Sequence, residues 1–223
     1  MKFFQKLYKD FAKDKQTLKT LNFRQKLRYI CDYYRGRAFV LLLIGIAGFY
    51  CADLYLTTQR ETVLEGFFTN DEHNLYPAKA IAEDFSKALG LTSRQQVIFD
   101  DSLFIQLGSS VNYHAASQSK IVAYVAAREL DFLVTTKELM EYYSSSFSLY
   151  DLEELLPEPL FQRLQEQLYY AEDGSGGQKA CAVSMAGSRF DNGEQGPPHY
   201  MMVLSYTQHQ EALIRFLEYA FPM

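Results

Sequence analysis

The chain has 223 residues and a mass of 25.8 kDa, room for one membrane segment plus one domain but not for a second independent core. With 48% hydrophobic and 22% charged residues, 12 Gly and 6 Pro, it is neither collagen-like, low-complexity nor wholly disordered. Three scattered cysteines, Cys31, Cys51 and Cys181, exclude a disulfide scaffold and a cysteine-based zinc site. The net charge of −5 divides at Arg37: residues 1–37 carry eleven Lys or Arg against three Asp, a net of +8, and the rest carries eleven against twenty-four acidic residues, a net of −13.

The basic leader contains Phe4, Leu7, Tyr8 and Phe11 at helical spacing, with Lys2, Lys6, Lys9 and Lys13 around them. This pattern predicts a short amphipathic helix on an anionic membrane surface. Nucleic acid is the rival partner for such a patch and is not expected, because tethering to a bilayer already accounts for the charge. Residues 38–56 follow, a stretch of 19 positions in which Asp53 is the one charge. A helix needs ~20 apolar residues to cross the hydrocarbon layer, with ~17 at the short end, so this run predicts a transmembrane helix. Arg24, Lys26, Arg28, Arg35 and Arg37 precede it and the next basic residue is Arg60. By the positive-inside rule the N-terminus lies in the cytoplasm, the remainder is extracytoplasmic, and the location is the cell membrane. No small-x-small site closes the run, and Phe49 and Tyr50 before Cys51 disfavour a lipidated cysteine, so an uncleaved anchor is expected. Asp53 belongs at the wet interface.

The predicted organisation is a basic tail (1–37), a span (38–56), a stem (57–76) and one compact α/β domain (77–223). Within the stem, Val63, Leu64, Phe67 and Phe68 form an apolar patch that fits a first strand or a continued anchor helix. Pro77 opens a helix with Ile81, Phe85 and Leu89 inward and Gly90 as its cap. Gln96 to Phe99 and Leu103 to Leu107 predict two short strands separated by Asp100 and Asp101. Ser117 is the expected N-cap of a helix with Ile121 and Val125 inward. Asp131 to Val134 predicts a buried strand, and Thr135 with Glu138 a capping box for a helix from Lys137 to Tyr143. A helix over Pro159 to Gln167, strands at Leu168 to Tyr170, Ala180 to Met185 and Tyr200 to Tyr206, and a closing helix from His209 to Phe221 complete the reading. Glycine-rich loops fall at 173–177 and 187–198. Helix, buried strand, helix is α/β grammar.

The run KIVAYVAARELDFLVTT, the following KELMEYYSSSFSLYDLEELLP and the terminal HQEALIRFLEYAF resemble segments of bacterial solute-binding proteins, best over Ser117 to Pro157 and more loosely over Ile81 to Phe221. The resemblance implies one lobe of a periplasmic-binding-protein-like fold and a binding function. In open α/β sheets ligands sit beyond the carboxyl ends of strands, near helix N-termini. Ser117, Ser119, Thr135 and Thr136 are therefore the candidate ligand-binding residues; ordinary helix capping is the alternative use of all four.

No catalytic pattern emerges. His73, His114, His199 and His209 show neither HxH nor HExxH spacing. The GSGG at 174–177 lacks phosphate-loop spacing, and Asp191, Asn192 and Glu194 lack a calcium-loop pattern. Cys181 sits in an apolar strand and is expected to be buried and inert. Paired tyrosines, Tyr142 with Tyr143 and Tyr169 with Tyr170, fit a recognition surface. The expectation is a single-pass membrane-anchored protein that binds without catalysis, using no cofactor or metal. Its partners are the lipid bilayer and a small solute or a membrane or cell-surface protein. A membrane-tethered enzyme or an accessory subunit of a membrane complex is the alternative.

Overall fold

In the computed structural model the described residues are 22–58, 60–172, 177–191 and 197–222. The leader stripe from Phe4 to Phe11, most of the 173–177 loop, and Asn192 and Glu194 lie outside them. The chain divides into two compact units, Met1–Gln59 and Arg60–Met223.

In the first unit, α1 is a 36-residue helix, Phe23–Thr58. Its side chains are described without a break from 39 to 55, and Phe39, Leu41, Ile44, Phe49 and Tyr55 are all exposed. Among the described residues no helix is long and apolar enough to cross a membrane. Ala38 and Leu56, the two ends of the expected 38–56 segment, have no described side chain.

The second unit is a three-layer α/β arrangement. Its elements are β1 (Glu61–Thr69), α2 (Ala78–Leu89), β2 (Gln95–Leu103), α3 (Asn112–Ala127), β3 (Phe132–Thr135), α4 (Lys137–Ser144), α5 (Leu152–Leu155), α6 (Glu158–Leu164), β4 (Leu168–Glu172), β5 (Gln178–Ser184), β6 (Tyr200–Val203) and α7 (Gln210–Ala220). The six strands lie in the order β2-β1-β3-β6-β5-β4. β1 runs parallel to β2 and β3, and the remaining pairings are antiparallel.

Alternation along the central strands builds both faces of the sheet. Leu64, Phe68, Phe132, Val134, Met201 and Val203 point to one side, where Ile81 and Phe85 of α2 and Leu213, Phe216 and Leu217 of α7 cover them. Phe67, Leu133 and Met202 point to the other, against Ile121 of α3 and Leu139, Met140 and Tyr143 of α4. Burial on both faces explains the continuous apolar run at 132–134, the usual signature of an internal strand. Gly66 on β1 makes room for the Phe132 ring: a Cβ there would stand 2.1 Å from Phe132 Cζ.

The structure corrects four expectations. The stem assigned to 57–76 contains β1, which pairs on both edges; the domain begins at Arg60 because the Val63-to-Phe68 patch is needed in the core. The strand expected at Gln96 to Phe99 runs on through Asp100 and Asp101 to Leu103, with Asp100 bonded by Ser102 and Lys120 while its backbone continues the pairing with Phe67, and the second strand expected at Leu103 to Leu107 does not form beyond Leu103. The helix expected to start at Ser117 starts at Asn112, so Ser117 is buried in its interior and caps nothing. The Thr135 capping box does not form: Thr136 is the N-cap of α4, and the Thr135 hydroxyl is engaged by Thr69 across the sheet. Gly90 caps α2 in the left-handed conformation, as its position after Leu89 predicts.

Candidate functional site

The connection from β1 runs through α2 on one face of the sheet, whereas β3 leads into α4 on the other. The carboxyl ends of β1 and β3 therefore open a crevice where the two connections diverge, the usual ligand position in such sheets. A cleft of about 360 Å³ lies there, within the ~300–1,000 Å³ typical of small-molecule sites. Its wall comes from the loop after β1 (Asn70, Glu72), the loop after β2 (Phe104 to Leu107), His114 in the first turn of α3, and Thr136, Glu138 and Leu139 at the start of α4.

Asn70 organises this corner. Its backbone is left-handed, φ 57°, a conformation that Asn tolerates better than most residues. From there its side chain clamps the neighbouring loop, Nδ2 donating to the Ile105 carbonyl and Oδ1 accepting from the Ile105 amide, each at 2.8 Å. Asp71 then accepts from the amides of Leu75 and Tyr76 at 2.8 and 2.6 Å and fixes the turn into α2. Below the cleft the Thr69 hydroxyl donates to that of Thr135 at 2.7 Å, tying β1 to β3. His199 contacts the Asn70 carbonyl through Nε2 at 3.3 Å, which requires a proton on Nε2. Burial lowers its pKa and favours the neutral ring, so Nδ1 is a bare acceptor with no partner among the described residues.

Two helix N-termini meet at the cleft, and neither N-cap, Val111 for α3 or Thr136 for α4, makes a side-chain capping bond. First-turn residues of both helices, His114 of α3 and Glu138 and Leu139 of α4, line the cleft. Glu72 and Glu138 supply carboxylates that accept from ligand hydroxyl or amino groups. His114 holds the Phe104 carbonyl through Nδ1 at 3.0 Å, leaving Nε2 as its second polar atom. The cleft thus presents both donors and acceptors. Neither Ser nor Cys lines it, and among the described residues no group of three His, Cys, Asp or Glu could hold a metal.

Of the four sequence candidates, Thr136 lines the cleft and Thr135 lies buried just beneath it. Ser117 and Ser119 fall within α3, Ser117 buried and Ser119 exposed, and neither reaches the cleft. Asn70, Glu72, His114 and Glu138 were missed. An Asn directly after an apolar strand is a usable signal for Asn70; the others become neighbours only through the crossovers.

A second polar cluster lies on the other side of the fold. The Asp131 carboxylate, 3% exposed, accepts from the Glu65 amide at 2.7 Å, the Thr207 hydroxyl at 2.5 Å and His209 Nδ1 at 2.9 Å. Burial, then the nearby Glu129 and Asp131, pushes the Glu65 carboxyl up to about 7. His209 lines a shallow hollow with Arg215 and Glu211. This cluster locks the start of β3 to the start of α7.

Fold and cleft together define an open-sheet α/β domain with a polar crevice at its strand ends. No family model matches the chain, and no curated protein matches it. Among solved structures it is similar to a protein from Synechococcus sp. MITs9220 provisionally described as an oligosaccharide periplasmic-binding protein, at 18% identity and a TM-score of 0.33. The match covers 54% of this chain and 27% of that one, so the chain spans about a quarter of that protein's length.

Proposed function

We propose that this chain is a single-pass membrane-anchored binding protein whose extracytoplasmic α/β domain takes up a small polar solute without chemical conversion. The cleft at the carboxyl ends of β1 and β3 carries this reading, because it joins two uncapped helix N-termini to carboxylates in a volume of solute size. Membrane attachment is supported by the exposed apolar side chains of α1 from Phe39 to Tyr55 and by the charge change at Arg37. The basic leader then rests on the inner leaflet and the acidic domain lies outside.

A melting-temperature screen of the full chain in detergent against amino acids, sugars, peptides, nucleotides and divalent ions tests the binding half. A ligand at 100 times its Kd stabilises by about 2.7 kcal/mol, a resolvable shift. A transition that no class moves would reject solute capture and favour a protein partner. Orientation is tested by C-terminal fusions: alkaline phosphatase should be active and a cytoplasm-dependent fluorescent protein dark, and the reverse pair would reject the topology.

A further inference from the structure

β2 forms one edge of the sheet: it pairs with β1 on one side and with no strand on the other among the described residues. It is nine residues long and has no proline; near its end the Ser102 N–H is taken by Asp100 Oδ1 and its C=O by the Tyr113 hydroxyl, so the open row of N–H and C=O groups that recruits other strands lies before Asp100. Beside it, Ala82 and Ser86 of α2 leave a groove of about 490 Å³ along Gln95 to Phe99, a run about 16 Å long at the rise of an extended chain.

The charge of this groove is opposite to that of its domain. After Arg37 the chain carries eleven basic and twenty-four acidic residues, yet Arg60, Lys79 and Lys87 line the groove against Glu83 alone. All four are exposed. Lys87 reaches Asp84 at 3.1 Å in a solvent-exposed pair of little strength. Among the described residues Arg60 and Lys79 have no salt-bridge partner.

We propose that the β2 edge and its basic groove are a docking site for an extended acidic segment of a partner protein, which adds to the sheet as a seventh strand. Main-chain bonds to β2 supply the affinity and the three basic side chains select acidic residues on the incoming strand. A second copy of this chain is disfavoured as occupant, because edge-to-edge pairing would bring two basic grooves together.

The test titrates the full-length chain in detergent micelles into a fluorescein-labelled nonapeptide of alternating Thr and Glu, read by anisotropy. Two further peptides carry N-methyl groups on alternate amides, one along each edge. Saturable binding is expected, lost for one methylated peptide and weakened about tenfold by the double substitution Lys79→Glu, Lys87→Glu. Both positions are exposed, and an unchanged melting temperature confirms that this variant folds. Equal binding of all three peptides would reduce the groove to a charge trap and overturn the proposal. So would no binding, or a light-scattering mass of twice the protomer that the peptide does not disperse.

Discussion

Replacing Asp131 by Ala removes the acceptor that joins β1, β3 and the start of α7. Three donors lose it: the Glu65 amide, the Thr207 hydroxyl and His209 Nδ1. His209 has 38% of its side chain exposed and can turn to water, so its loss costs little. The Glu65 amide and the Thr207 hydroxyl are buried, and a stranded buried donor costs about 1–3 kcal/mol. Against this, the Asp131 charge no longer raises the cost of ionising Glu65. The balance is a destabilisation of about 3 kcal/mol, or about 6–12 °C in melting temperature for a domain of this size. Asp131→Asn keeps one acceptor oxygen and should lose less than half as much. Thr207→Val takes one donor from the buried Asp131 carboxylate, which keeps the Glu65 amide and His209 Nδ1, and removes the acceptor of the His209 amide; it should cost about 1 kcal/mol, less than Asp131→Ala. Far-ultraviolet circular dichroism of the full chain in detergent reads all three. A shift below 2 °C for Asp131→Ala, or equal losses for Asp131→Ala and Thr207→Val, would refute the ranking.

Glu65 makes stability pH-dependent. Its folded pKa, about 7, lies above the ordinary value of 4.5, so folding favours the protonated carboxyl; that contribution is complete below about pH 4.5 and is lost as pH rises through 7. Comparing urea midpoints at pH 5 and pH 8, Glu65→Gln should flatten this decline, and an unchanged slope would remove Glu65 as its source. Gly66→Ala drives a methyl group into the Phe132 ring and should cost about 3 kcal/mol or more. With Phe132→Leu in the background the penalty should shrink in a double-mutant cycle of melting temperatures, and simple additivity would contradict the contact. Arg128 ends α3 at φ 59°, a conformation that costs a residue with a Cβ about 1–2 kcal/mol. Arg128→Gly should therefore raise the melting temperature by a few degrees in the same scan.

Internal strands and amphipathic helices were legible in the sequence because their signals are local. The run at Phe132 to Val134 is apolar on both faces, the spacing of Ile81, Phe85 and Leu89 marks α2, and Gly90 stops it. β1 was harder, because its polar first residues follow directly on α1 and resemble a linker. Asp100 and Asp101 read as a break because pattern cannot show that a half-exposed edge strand has room for carboxylates. Ser117 read as a cap because Ser favours that position, yet α3 begins five residues earlier at an N-cap, Val111, without a capping side chain. The site was legible at Thr136 alone. Glu72, His114 and Glu138 have no sequence signature, since the two crossovers from β1 and β2 bring them together. Asp131 and His209 are 78 residues apart and meet through the pairing of β3 with β6.

The central claim is that the strand-end cleft is where a small solute binds. Hydrogen–deuterium exchange of the full chain in detergent, with and without the compound that raises its melting temperature most, tests this directly. The account predicts slowed exchange in three segments, 70–76, 104–116 and 136–140, with little change along 78–99. Protection confined to α2 and β2, or no protection anywhere at saturating compound, would contradict it.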